Sequence, residues 1–69
     1  MKIEELGKLI SHRRKVLGLT IRDLADLTGM SKTTISKIES GYSNPTYVVI
    51  QNIFEYLNLE IKVDVKMRK

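Results

Sequence analysis

Four residues near the middle of the chain, Lys32, Thr33, Ser36 and Lys37, carry side chains that can do polar chemistry as a group. Their spacing of i, i+1, i+4 and i+5 places them on one face of a helix. All four are hydrogen-bond donors and no acid stands among them. Lys32 and Lys37 can donate to guanine O6 and N7 or to a phosphate oxygen. Thr33 can offer its hydroxyl to a base or its methyl to a thymine methyl. Ile35 and Ile38 face the other way and can anchor the back of the same helix. Nothing comparable suits catalysis. The chain has no cysteine and one histidine. His12 therefore has no partner for a metal and no nucleophile to activate, and it reads as a surface residue. We expect no enzyme, no metal and no cofactor.

A face of this kind needs a scaffold. Lys2 to Leu17 reads as a first helix, with Ile3, Leu6, Leu9, Ile10, Val16 and Leu17 as its apolar stripe and Gly18 after its end. Thr20 suits the N-cap of a second helix, Ile21 to Thr28, with Asp23 at the capping-box position. That helix would bury Leu24, Ala25 and Leu27. Gly29 follows, where a tight turn calls for positive φ. Ser31 caps a third helix, Lys32 to Ser40, and Gly41 stops it. Pro45 keeps Asn44 out of helical geometry. Thr46 caps a fourth helix, Tyr47 to Leu57, with Ile50, Ile53, Phe54 and Leu57 at i, i+3, i+4 and i+7, and Asn58 closes it.

The second and third helices are too short to persist alone. Joined by a three-residue turn containing glycine, they fit the helix-turn-helix description, in which the second member enters the DNA major groove. The residues also resemble the phage repressor and Cro (XRE-like) family. Leu19-Thr20-Ile21-Arg22-Asp23-Leu24-Ala25 looks like that family's opening of the motif, Ile35-Ser36-Lys37-Ile38-Glu39-Ser40-Gly41 like its close, and Asn44-Pro45-Thr46 like the start of its fourth helix. The similarity spans Leu6 to Leu57. It implies that Lys32, Thr33, Ser36 and Lys37 hold the base-reading positions. It also implies that Arg14 pairs with Glu39 in a structural link. One residue departs from the pattern: where the family often has glutamine at the first position of the second helix, this chain has Ile21.

Helix N-termini present N–H groups without intrahelical partners and attract phosphate. Thr20, Arg22 and Ser31 are phosphate candidates for that reason, and Thr34, Tyr42, Ser43 and Asn44 join them. Each of these residues also has a plain structural use: capping, a loop contact or a solvated helix face.

The tail differs in kind. From Leu59 to Met67 every odd residue is apolar and from Glu60 to Arg68 every even one is charged, a period of two that specifies a half-buried strand. Nothing else in the chain resembles a strand, so the simplest source of its ladder is the same strand of a second copy. An antiparallel self-pair about Val63 sets Glu60 against Lys66 and Lys62 against Asp64. Leu59, Ile61, Val63, Val65 and Met67, with Phe54, would form the dimer interface, and the strands would lie on the outer face of the fourth helix near Val49 and Phe54. A domain of 69 residues buries only about 60% of its unfolded surface, which also favours a dimer. The expected fold is all-α: a four-helix DNA-binding domain over residues 1–58 and one C-terminal β-strand over residues 59–69 that pairs across a two-fold homodimer. This architecture resembles HipB-type antitoxins.

The net charge of +4 favours a polyanionic partner. Double-stranded DNA and a second copy are the expected partners, and the expected function is a dimeric transcriptional repressor of a pseudo-palindromic site. The alternative is a HipB-like antitoxin or adaptor whose main partner is a toxin protein as well as its own operator. No apolar run is long enough for a bilayer, and the N-terminus lacks signal-peptide order, so a cytoplasmic location is expected.

Overall fold

A computed structural model of the protein describes residues 1–62. Four helices follow one another: α1 (Ile3–Val16), α2 (Ile21–Thr28), α3 (Lys32–Glu39) and α4 (Tyr47–Tyr56). Helix α3 packs against α1 and α2, and α4 packs against α2. The core is Ile10, Leu24, Ala25, Ile35, Ile38, Ile53, Phe54 and Leu57, so every helix contributes. No helix among the described residues is long and apolar enough to cross a membrane.

The starts and stops are local. Thr20, Ser31 and Thr46 each accept a bond from the N–H three residues on, at 3.0, 3.1 and 3.3 Å. Every helix ends the same way. The N–H groups of Leu19, Met30, Tyr42 and Leu59 donate to the carbonyls of Arg14, Ala25, Lys37 and Phe54, each five residues back. That closure needs a left-handed residue just before the donor. Glycine supplies it three times, and Asn58, at φ 57°, supplies it after α4. The helix ends come out one residue shorter than expected because Lys2, Leu17, Ser40 and Leu57 serve as caps.

Three apolar residues expected inside lie outside. Val16 is 59% exposed, Leu17 37% and Leu27 44%. Val16 and Leu17 fall where α1 already gives way to its closing turn. The face of α2 that meets α3 is completed by Leu24 and Ala25 without Leu27. Phe54, expected at a dimer interface, belongs to the core of its own chain and also lines the open surface groove between α1 and α4.

Beyond α4, Leu59 and Ile61 pack against the core. The described residues contain no strand. A strand is held by a ladder, and the described residues offer no second strand to pair with. Val63, Val65 and Met67, and with them the proposed axis, lie outside the described residues.

Candidate nucleic-acid interface

Helix α3 is held by its back. Ile35 is fully buried and Ile38 is 2% exposed, both on one side of the helix. Lys32, Thr33, Ser36 and Lys37 are all exposed and together form the opposite side. Ala25 on α2 is 3% exposed, which fits a small side chain where α2 and α3 approach each other. Between them, Gly29 turns the chain at φ 76°.

The start of α3 is occupied by its own cap. Ser31 Oγ accepts from the Thr34 N–H at 3.1 Å and lies 2.9 Å from Thr34 Oγ1. Ile35 N–H already bonds to the Ser31 carbonyl. The N–H groups of Lys32 and Thr33 therefore precede the first intrahelical bond and remain for an anion. Helix α2 differs. Thr20 Oγ1 accepts from the Asp23 N–H, and the Asp23 carboxylate accepts from the Thr20 N–H at 2.8 Å. The Thr20 N–H, expected to be open, is thus taken. At this end only the N–H groups of Ile21 and Arg22 lack an intrahelical partner. The same bond from the Thr20 N–H, and after it the Thr20 hydroxyl, holds the Asp23 carboxyl below its ordinary range. An anion therefore sits at the mouth of α2. Arg22 is exposed beside it. The α3–α4 loop carries Tyr42, 87% exposed, with Asn44 exposed and Ser43 half-buried.

Arg14 joins three parts of the scaffold. Its Nε donates to Glu39 Oε2 at 2.7 Å and its Nη2 to Glu39 Oε1 at 3.0 Å, a bidentate pair. Its Nη1 donates to the Leu19 carbonyl at 2.7 Å. Both charged side chains are over 90% shielded from solvent, at 9% and 8% exposure. The bond to Glu39, reinforced by its charge and opposed by desolvation, pushes the Arg14 pKa further up. The pair thus fixes the end of α3 to α1 and to the α1–α2 turn.

Three positioning residues escape sequence reasoning. Gly7 is buried where α1 meets the last turn of α3: a Cβ there would stand 2.5 Å from the Ile38 carbonyl oxygen. A glycine inside a helical pattern is a usable signal for such close approach. Arg13 Nε donates to the Leu57 carbonyl at 2.8 Å, and Asn52 Nδ2 to the Thr28 carbonyl at 3.1 Å. These two bonds tie the end of α4 to α1 and the end of α2 to α4. Neither residue type nor spacing announces them.

A short helix, seated by two isoleucines and presenting an acid-free donor face beside a glycine turn, defines the helix-turn-helix class. Residues 10–63 match that family, HTH_3, and the chain belongs to it. The match begins a little later and runs further than the Leu6 to Leu57 resemblance. The chain is 35% identical over 60 residues to the ImmF control region 10 kDa protein of Bacillus phage phi105, covering 87% of this chain and 67% of the phage protein. It is 31% identical over 55 residues to an HTH-type transcriptional regulatory protein of Methanocaldococcus jannaschii, covering 80% of this chain but only 17% of the archaeal protein. The fold matches the crystal structure of the restriction-modification controller protein C.AhdI from Aeromonas hydrophila with a TM-score of 0.80 and 26% identity, over 84% of this chain and 88% of that one.

Proposed function

We propose that the protein is a sequence-specific, double-stranded-DNA-binding transcriptional regulator that acts as a dimeric repressor. The observation that carries this reading is the donor face of α3: four exposed polar side chains without an acid, backed by Ile35 and Ile38. Lys32, Thr33, Ser36 and Lys37 read base edges in the major groove. The N–H groups that open α2 and α3, with Arg22, Tyr42, Ser43 and Asn44, take phosphates and set the register. Thr20, Ser31 and Thr34 serve first as caps and orient those groups. The phage relative is a control-region protein, the archaeal one a transcriptional regulatory protein and the restriction-modification one a controller protein, which supports the regulatory reading.

Residues 59–69 supply the dimer contact by pairing with a second copy about Val63, where opposite charges face each other. A two-fold dimer of this kind places two α3 helices on half-sites about 34 Å apart.

Selection of bound duplexes from a random pool at stated salt tests the proposal. It is expected to return a pseudo-palindromic consensus. Lys37→Ala should then cost about 1–3 kcal/mol and relax preference at one position. A pool that stays random after selection refutes sequence-specific binding.

A further inference from the structure

The tail borders an open, mainly apolar groove of about 450 Å³, lined by Ile3, Leu6 and Leu9 of α1, Ile50 and Phe54 of α4, and Ile61. It shares Phe54 with the face of α4 on which the sequence alone would lay the dimer strands, and it extends from there to Ile3, Leu6 and Leu9 of α1. We propose that this groove receives the segment Val63–Met67 of a second copy of the chain. The proposal rests on the dimeric reading above and assigns the surface that reading leaves open.

Glu60, Ile61 and Lys62 already line the groove. For the same chain to fill it, the backbone would have to reverse within Val63–Lys69. That stretch contains no glycine, proline, asparagine or serine, and its one turn-forming residue, Asp64, stands within an alternation that runs on without a break, so a two-residue hairpin there would lack the glycine or asparagine that positive φ calls for. A strand arriving antiparallel from a second copy needs no reversal. About the Val63 axis it sets the second copy's Val65 opposite Ile61 and its Asp64 opposite Lys62. Side chains of one parity share a face. Leu59 and Ile61 turn theirs to the core, so the second copy's Val65 and Met67 turn theirs to the same side, where Leu6 and Leu9 lie. The apolar lining thus meets an apolar face, and Lys62 meets a carboxylate.

Sedimentation combined with isotope-filtered NMR on a mixture of 13C-labelled and unlabelled full-length chain tests this. The expected result is a dimer with intermolecular contacts between the methyl groups of Val65 or Met67 and those of Leu6 or Leu9. A dimer without those contacts overturns the groove assignment and leaves the dimeric reading intact. The same contacts seen only within one chain overturn it in favour of the chain's own tail. A monomer at NMR concentration overturns both. Val65→Asp, a change beyond residue 62, should raise the dimer dissociation constant at least about tenfold, because in the proposed groove the acid would be buried without a partner. An unchanged constant is incompatible with the proposal.

Discussion

Gly7→Ala isolates the contact on which the placement of α3 depends. The added methyl would stand 2.5 Å from the Ile38 carbonyl oxygen and 2.6 Å from that of Glu39. Ordinary contact is nearer 3.4 Å, so α1 and α3 must part by about 0.9 Å. Both obstacles are backbone atoms in the last turn of α3 and cannot rotate aside. Alanine gains about 1 kcal/mol over glycine through helix propensity. Overpacking costs about 1–3 kcal/mol, and two backbone oxygens in the way put this site in the upper part of that range. The net expectation is a loss of about 1–2 kcal/mol, or roughly 4–8 °C in Tm per kcal/mol for a domain of this size. Urea unfolding followed by circular dichroism reads the loss directly. Lys8→Ala, on the exposed side of α1, should change stability by no more than about 0.5 kcal/mol. The displacement also stretches the Arg14–Glu39 pair, so DNA affinity should fall by more than the small unfolded fraction explains. A Gly7→Ala protein as stable as the parent would refute the reasoning, since propensity alone would then have decided the outcome.

Glu39→Ala leaves the shielded Arg14 guanidinium with only the Leu19 carbonyl and should cost about 3 kcal/mol; Arg14→Leu/Glu39→Leu should cost less than the two single changes together, as measured by a double-mutant cycle. The capping box at α2 has a defined pH dependence. Because the folded-state Asp23 carboxyl is held below its ordinary value, its contribution is present above the unfolded value of about 3.9 and is lost as pH falls through the folded value. The stability difference between the parent and Asp23→Ala should therefore be flat from neutral pH to about pH 5 and shrink in stronger acid; a difference that widens in acid would contradict the sign. Asn58 holds φ 57°, so Asn58→Gly should stabilise by about 0.5 kcal/mol and Asn58→Val should destabilise by about 1 kcal/mol or more in thermal melts.

The helices and their order were legible in the chain because their determinants are local. Thr20, Ser31 and Thr46 cap through hydrogen bonds reaching three residues, and Gly18, Gly29, Gly41 and Asn58 end helices through bonds reaching five. The seats of Leu24, Ala25, Ile35 and Ile38 follow from helical period, as does the exposed donor face opposite the two isoleucines. Other features depended on how the elements meet. Val16, Leu17 and Leu27 fit an apolar stripe, yet each lies past the edge of the surface its helix buries. The Thr20 N–H is open in any generic helix start and is closed here by the particular reach of Asp23. Arg13 and Asn52 act on backbone atoms 44 and 24 residues away, a separation no local pattern encodes, whereas Gly7 announces a close approach but not the element that makes it. The groove beside Ile61 exists only because α1, α4 and the first residues of the tail converge. Amino-acid order alone determined which segments coil and which polar side chains α3 leaves exposed; tertiary packing decided which backbone N–H groups stay open and where an apolar groove forms beside Ile61, because both depend on distances between segments that the chain brings together only on folding.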